Sequence, residues 1–296
     1  MTLNVTVLTH DFAACVTDRR LSARRQVLSE QARKLIQIDT GPFKGLVAYN
    51  GIGRSTGGET PNDWLSEAQA LGAATLHQFC DRLKTVSEPR IRALAPQFHN
   101  NPRHTFVLSG FELGTPVMGL VSNYESLGGP DNPRASDKLE VGFVTPRPEA
   151  PFGMIITGAT HIIRRRSTDA LVKILRQTAS RQSILNQMTK VIRDTSFVDR
   201  LRGSVGSSVL SSVYDPILGF QPGANVIGGS TFHDMPDAYL QGMQVRDFRI
   251  SGEISEQSRY DPALGRFAFD EAPCPNCGTP FPEGNRRCGG CGEQIN

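Results

Sequence analysis

The sequence predicts an α+β fold in which antiparallel sheets pack against layers of helices, followed by a small cysteine-rich tail. Segments with strand and helix patterns come in blocks, in the order strands, helices, strands, helices, strands. This order favours segregated layers over alternating βαβ units. Four of the six cysteines lie after residue 273, which marks the tail as a separate unit. We expect a main domain over 1–220, an extension over 221–272 and the tail over 273–296.

The composition is that of an ordinary folded protein and excludes several classes. The chain has 296 residues, 38% hydrophobic and 21% charged, which argues against a disordered or collagen-like protein. A net charge of +3, with both signs interspersed, gives no support for a protein that coats nucleic acid. No apolar run approaches the roughly 18 residues of a membrane-spanning helix. Residues 1–10 lack the pattern of a secretory signal, so we expect a cytoplasmic protein that contacts no membrane.

The first block of strands begins at the N-terminus. Apolar residues alternate over 3–7, a turn follows at 10–11, and a second apolar run covers 12–17. Two further strands are predicted over 35–38 and 45–49. Because no helical pattern separates these four short strands, we expect them to form an antiparallel sheet.

The first helix has a clear start. Thr60 can cap it, Pro61 suits its first position, and apolar residues then recur at helical spacing from 64 to 79. A shorter helical stretch is predicted over 88–94. Two more helices are predicted between 168 and 193. Further strands are predicted at 105–108, 117–121, 139–144, 154–156, 205–214 and near 243–254.

Thr2 is the residue that most directly suggests a reaction. An initiator methionine is generally removed before a small residue, so we expect a mature chain that begins with Thr2. An N-terminal threonine combines a hydroxyl nucleophile with an α-amino base, which titrates near pH 7.7–8.0. Such an amine needs a nearby cation to keep it neutral, and that cation needs a carboxylate to offset its burial.

Two charged residues occur at a specific spacing after Thr2. Asp18 follows it by 16 residues and Lys34 follows it by 32 residues. This spacing resembles that of the proteasome β subunits and their bacterial HslV-type relatives, which are N-terminal-nucleophile (Ntn) hydrolases. The strand contexts over 14–22 and 34–38 are also similar to those of the family.

Later segments match the same family in order, so that the resemblance covers residues 2–215. The matching segments are Gly51 after its strand, 109–111, 157–159 and 199–203. The resemblance implies an αββα four-layer sandwich and a homo-oligomer, assembled as rings or dimers. It also implies site residues: Thr2 as nucleophile, Asp18 and Lys34 as its charged support, the Gly51 N–H in the oxyanion hole, and Asp199.

Two functions of different classes follow from the resemblance. The first is a threonine-type hydrolase that cleaves peptides or other amides. The second is a catalytically inactive scaffold with the same fold, which Arg202 favours, because it stands where the family has a serine that supports the threonine amine.

The tail carries two C-x-x-C motifs separated by ten residues. Four thiolates at this spacing are typical of a tetrahedral, structural zinc site in a zinc ribbon, while a disulfide pair or an iron–sulfur cluster are the other interpretations. The predicted ligands are Cys274, Cys277, Cys288 and Cys291. We expect the ribbon to dock a protein partner. Arg286 and Arg287 leave open a weaker interpretation as a nucleic-acid binder.

The other candidate residues have simpler interpretations. Cys15 and Cys80 are expected to be small buried side chains and not nucleophiles. The six histidines form no metal-binding motif and are expected at the surface or as satisfied core residues. The glycines over 51–57 lack the spacing of a dinucleotide site.

Overall fold

The computed structural model describes most of the chain up to residue 223 and isolated strands beyond it. The described ranges are 2–23, 26–29, 32–98, 101–127, 134–177, 179–198 and 205–223, followed by the backbone of eight short strands between residues 225 and 282.

The elements follow the predicted block order. Six strands come first: β1 (Leu3–Thr9), β2 (Ala13–Asp18), β3 (Leu21–Ala23), β4 (Gln26–Ser29), β5 (Leu35–Asp39) and β6 (Phe43–Asn50). Next come helices α1 (Pro61–Ala70) and α2 (Leu76–Leu94), strands β7 (Thr105–Glu112), β8 (Thr115–Ser122), β9 (Glu140–Val144) and β10 (Phe152–Gly158), and helices α3 (Arg165–Arg176) and α4 (Arg181–Val198). The later strands are β11 (Val209–Asp215), β12 (Gly219–Pro222), β13 (Asn225–Ile227), β14 (Ser230–Phe232), β15 (Asp237–Leu240), β16 (Met243–Val245), β17 (Ser258–Asp261), β18 (Arg266–Phe269), β19 (Glu271–Pro273) and β20 (Pro280–Pro282).

Most of these strands form two seven-stranded sheets. The first sheet has the order β10-β1-β2-β11-β13-β14, with β12 beside β11, and is antiparallel throughout. The second has the order β16-β15-β5-β6-β7-β8-β9 and is antiparallel except where β15 runs parallel to β5. The prediction of antiparallel sheets is confirmed.

Three apolar clusters alternate with the sheets and helices. One packs α1 and α2 on the second sheet and includes Trp64 and Phe79. Another packs α3 and α4 on the first sheet and includes Met188. The third lies between the sheets and includes Leu46 and Leu210. Because successive strand residues point to opposite faces, each central strand contributes to two clusters. The layers therefore run helices, sheet, sheet, helices.

The helix boundaries differ from the prediction between residues 64 and 94. The apolar pattern over 64–79 is not one helix, because α1 ends at Ala70 and Gly72 adopts a φ of +66°, which a helix does not continue through. Thr75 then caps α2 by accepting a hydrogen bond from Gln78 N. The stretch predicted over 88–94 is the last part of α2, which continues through Pro89.

A hairpin that the sequence patterns do not indicate lies between the second and third predicted strands. It consists of β3 and β4, which pair antiparallel with a register shift near Leu21. Alternation of apolar residues is weak in this arginine-rich stretch, so the strand signal is lost.

The chain divides into two compact units, Met1–Val245 and Arg246–Asn296. The described part of the second unit consists of two antiparallel strand pairs, β17 with β18 and β19 with β20. Of the strand predicted near 243–254, the structure describes β16 alone. No helix among the described residues is long and apolar enough to cross a membrane.

Candidate active site

The β1–β2 hairpin brings the start of the chain to the end of β2. Asn4 pairs with Thr17, which places the Asp18 carboxylate beside the residues that precede Asn4. Leu3 N donates to Asp18 Oδ1 at 2.8 Å. Thr2 and Asp18 are 16 residues apart in the sequence, and the pairing of β1 with β2 brings them close together.

Lys34, just before β5, reaches both of these residues. Its Nζ donates to Thr2 Oγ1 at 2.6 Å and lies 3.4 Å from Asp18 Oδ1. It also donates to the backbone carbonyl of Arg20. Thr2, Asp18 and Lys34 are 5%, 0% and 1% exposed. The three residues that the sequence spacing singled out thus meet in one buried cluster.

Backbone groups fix the Asp18 carboxylate in this cluster. In addition to Leu3 N on Oδ1, Arg20 N and Gly206 N each donate to Oδ2 at 3.1 Å. A buried carboxylate is costly unless it is paired and hydrogen-bonded. Asp18 has both kinds of partner, so it can hold the Lys34 ammonium in one position.

The turn after β10 holds the backbone of Thr2. Ala159 N donates to the Thr2 carbonyl oxygen at 2.9 Å. The preceding residue, Gly158, has a φ of +95°, and a Cβ built on it would lie 1.9 Å from that same oxygen. Only glycine fits this contact, which explains the glycine in the 157–159 segment.

Gly51 occupies an equally tight position after β6. Its φ is +101°, and a Cβ there would lie 2.0 Å from the Arg103 carbonyl oxygen. Gly51 and Thr2 both line a cavity of about 950 Å³. The predicted oxyanion-hole residue therefore faces the same space as the threonine.

His104 secures the residue after Gly51. Its Nδ1 accepts a hydrogen bond from Ile52 N at 3.1 Å, and its backbone N donates to Asn123 Oδ1 at 2.9 Å. Burial lowers the pKa of His104 to about 3, so the imidazole is neutral and Nδ1 is free to accept. The rings of Trp64 and Phe106 lie 5.4 and 4.5 Å from the imidazole, centroid to centroid.

The expectation for the isolated cysteines is confirmed. Cys15 and Cys80 are both free and fully buried. Burial raises the pKa of Cys15 to about 12 and also raises the pKa of Cys80. Neither thiol forms the thiolate that a cysteine nucleophile requires.

Several predicted site residues lie outside the described part of the chain. These are Asp199, Arg202 and the four cysteines of the tail. Among the residues that are described, no group of three or more His, Cys, Asp or Glu side chains could hold a metal ion. The zinc prediction therefore concerns the tail alone.

Sequence reasoning missed three contributors to the site. Two are the backbone groups of Arg20 and Gly206, which carry no side-chain signal. The third is Glu125, a buried carboxylate after β8 whose Oε1 accepts from Gly158 N at 2.7 Å. An acidic residue close behind an apolar strand is the signal that could have found it.

Solved structures of the protein named Anbu are similar to this chain. The Anbu complex from Pseudomonas aeruginosa, described as a helical assembly, is 16% identical, with 76% of this chain and 88% of that chain covered and a TM-score of 0.51. Anbu (ancestral beta-subunit) from Yersinia bercovieri is 13% identical, with 72% and 81% covered and a TM-score of 0.48. A mutant of Anbu from Hyphomicrobium sp. strain MC1 is 13% identical, with 79% and 87% covered and a TM-score of 0.47.

The likeness to the Pseudomonas aeruginosa protein concerns the fold alone, at this level of identity. The chain matches no family in a comparison with protein-family models and no protein in a comparison with curated sequences.

Proposed function

We propose that the protein is a threonine-type Ntn hydrolase that cleaves peptides or other amides with Thr2 as the nucleophile. The observation that carries the proposal is the 2.6 Å contact between Lys34 Nζ and Thr2 Oγ1, with Asp18 holding Lys34 from the other side. A cation beside a hydroxyl favours the alkoxide that forms as the hydroxyl attacks.

Cleavage would proceed through an ester on Thr2. Removal of Met1 frees the Thr2 amine, which takes the hydroxyl proton, directly or through a water, as Oγ1 attacks the amide carbonyl carbon. The tetrahedral intermediate collapses when the C–N bond breaks and the leaving amine receives that proton. Water then attacks the ester, and its proton passes to the Thr2 amine. As the bond between the acyl carbon and Oγ1 breaks, the amine returns that proton to Oγ1, which releases the carboxylic acid and restores the Thr2 hydroxyl.

The Gly51 N–H is proposed as a donor to the oxyanion of the intermediate. The tight contact of Gly51 with the Arg103 carbonyl and the Ile52–His104 hydrogen bond support this role, because they hold the segment in one conformation. One such donor is typically worth roughly 3–4 kcal/mol of transition-state stabilisation. Asp199 is proposed as a further support of the site, from the family resemblance of its segment.

An inactive scaffold with the same fold is the second candidate. Arg202 favours it, because it stands where the family has a serine that supports the threonine amine, and a cation at that position would weaken the amine as a base. The buried Lys34–Asp18 pair favours the enzyme, because a buried charge pair in contact with a hydroxyl is typical of catalytic sites.

We also propose that the tail binds one structural zinc ion through Cys274, Cys277, Cys288 and Cys291, and that it docks a protein partner. Elemental analysis of the full chain should give about one zinc per chain, and Cys288→Ser should lose it. Zinc retained by that variant would contradict the ligand set.

The subunits are proposed to assemble into a homo-oligomer, for which the printed description of the Pseudomonas aeruginosa protein as a helical assembly is the support. Sedimentation velocity at several protein concentrations tests this. A monomer at every concentration would contradict it.

Peptide hydrolysis by wild type and by Thr2→Ala tests the proposed function. Wild type should release the leaving group from amide substrates, Thr2→Ala should not, and Thr2→Ser should retain part of the rate because it keeps both hydroxyl and amine. Thr168→Ala, on an exposed turn of α3, is the matched control. Equal rates for wild type and Thr2→Ala would refute the proposal, and the absence of cleavage by both would favour the scaffold.

A further inference from the structure

The cavity that contains Thr2 is lined by cations. Arg20, Arg33 and Arg54 all contribute to its surface, and no carboxylate does so among the residues that the structure describes. The buried Lys34 ammonium contacts the hydroxyl of Thr2, which lines the cavity, and is paired with Asp18. A partly enclosed surface of one sign concentrates counter-ions and attracts ligands of the opposite charge.

The carboxylates nearest to Arg54 in the sequence are engaged elsewhere. Glu59 accepts from Arg90 Nε at 2.6 Å and from Arg90 Nη2 at 3.2 Å, and the hydrogen bond from Arg90 lowers the pKa of Glu59. Asp63 accepts from Thr60 N at 2.7 Å and from Thr60 Oγ1 at 2.8 Å, in the cap of α1. Neither therefore neutralises the cavity.

Arg54 itself is exposed on the loop that follows Gly51. Within the described part of the chain, no carboxylate oxygen lies within ion-pair distance of its guanidinium. A guanidinium in this state can bind a carboxylate through two parallel hydrogen bonds. Arg54 is thus the cavity cation most available to a ligand.

The same cavity has apolar surface on its other side. Leu28 and Phe98 line it and are 65% and 52% exposed. Large apolar side chains that are exposed beside a concave surface are typical of ligand-binding grooves. Apolar groups of an extended peptide could pack there while a carboxylate binds Arg54.

We infer that the site prefers acidic substrates, namely peptides or amides that carry a carboxylate next to the bond to be cleaved. This inference rests on the proposed function and names its substrate class. The carboxylate can come from a Glu or Asp side chain or from a free chain terminus, since Arg54 recognises the shared group.

A matched set of fluorogenic peptides separates these sources. In the first series, the residue before the scissile amide is Glu, Gln, Leu or Lys. In the second series, the peptide carries the carboxylate as a free C-terminus, and the same peptide with an amidated C-terminus is the control. For Glu over its isostere Gln we expect kcat/KM to rise about tenfold or more at low salt, with Lys the poorest substrate. The preference should shrink as ionic strength rises, because exposed charges are screened.

Substitution of Arg54 tests which group sets the preference. Arg54→Met should reduce the Glu-over-Gln ratio of kcat/KM about three- to tenfold, and Arg54→Glu should turn the preference towards Lys. Arg166→Met removes an exposed arginine of α3 that does not line the cavity. It should change neither the Glu-over-Gln ratio nor the preference for Glu over Lys.

The outcomes separate this inference from the proposed function. Thr2-dependent cleavage with no advantage for Glu, or an advantage that Arg54→Met leaves intact, would overturn the inference and keep the hydrolase. If no peptide is cleaved, the hydrolase falls, and fluorescence anisotropy with the labelled Glu and Gln peptides decides the inference. Tighter, Arg54-dependent binding of the Glu peptide supports it, whereas equal binding or none overturns it.

Discussion

Lys34 and His104 are two buried basic side chains that both act on residues lining the same cavity. Lys34 touches the Thr2 hydroxyl and the Asp18 carboxylate, and His104 accepts from Ile52 N. Lys34 pairs with the Asp18 carboxylate and donates a hydrogen bond to the Arg20 carbonyl oxygen. His104 has aromatic rings around it, and burial lowers its pKa to about 3.

The difference shows that burial alone does not decide whether a base is charged. A carboxylate held by three backbone N–H groups stabilises the ammonium on the Lys34 side. An apolar environment without an acidic partner keeps the imidazole neutral on the other side. The Lys34 region places a positive charge beside the Thr2 hydroxyl for the proposed reaction. The His104 region holds the segment around Gly51 and Ile52 in one conformation.

Removal of the Lys34 charge should have the largest effect. Lys34→Met leaves the Asp18 carboxylate buried without a counter-charge, so the free energy of unfolding should fall by about 3–5 kcal/mol. The rate of peptide hydrolysis should fall at least about a thousandfold, since the cation beside Thr2 is lost. Urea denaturation and steady-state kinetics measure the two effects.

Lys44→Met is the matched control for that change. Lys44 also forms an ion pair with an aspartate, with its Nζ 3.1 Å from Asp39 Oδ2, but it is half exposed. An exposed pair contributes at most about 1 kcal/mol, so both stability and rate should stay near the wild-type values. Equal losses for Lys34→Met and Lys44→Met would contradict the distinction between the two environments.

Gly51→Ala should have the next largest effect, because it disturbs the segment on which the His104 region acts. The new methyl group would collide with the Arg103 carbonyl at a φ of +101°, so the segment must move. We expect kcat to fall about 10²- to 10³-fold with a smaller change in KM. Gly58→Ala has a similar φ of +89° but open space around it, and it should cost stability without this loss of rate. A Gly51→Ala enzyme with normal kcat would exclude Gly51 from the oxyanion hole.

Asp18→Asn should have a smaller effect than Lys34→Met, because it keeps the shape and one acceptor oxygen. In the variant, an NH₂ group replaces one of the two oxygens that accept hydrogen bonds from backbone N–H groups. The neutral side chain also no longer balances the charge of Lys34. The Lys34 ammonium then lies buried without a counter-charge, so a loss of about 3 kcal/mol in the free energy of unfolding is expected, with a rate lowered about a hundredfold. Thermal denaturation and kinetics check this, and wild-type stability would show that the charge of Asp18 is not needed.

His104→Gln should change the pH dependence of stability more than stability at neutral pH. The ordinary pKa of histidine is 6.5 and that of folded His104 is about 3, so between these values the unfolded chain binds a proton that the folded chain does not. Wild-type stability should therefore fall as pH decreases through this window, by up to about 1.4 kcal/mol per pH unit from this group. The glutamine variant should lack that contribution, and parallel stability curves for the two proteins would contradict it.

The sequence predicted most of the fold because its strands alternate and because Thr60 and Pro61 mark the start of its first helix. It also predicted the meeting of Thr2, Asp18 and Lys34, since the spacing resembles that of a known family and the β1–β2 hairpin brings those positions together. The β3–β4 hairpin was missed for lack of an apolar pattern.

Groups without a side-chain signature could not be predicted from the sequence. The Arg20 carbonyl and the Gly206 N–H act through the backbone, and their place depends on the tertiary fold. His104 was expected to be a surface or satisfied core residue. It is a core residue, but its contact with Ile52 N depends on packing between β6 and β7 that no local pattern encodes.

Covalent labelling of Thr2 tests the central claim most directly. The purified protein is treated with a hydroxyl-directed electrophile, such as a peptide β-lactone, and its intact mass and N-terminal peptide are measured by mass spectrometry. We expect a chain that begins at Thr2 and carries one adduct on that residue, with no adduct on Thr2→Ala and little on Lys34→Met. A chain that keeps Met1 and remains unlabelled would contradict it.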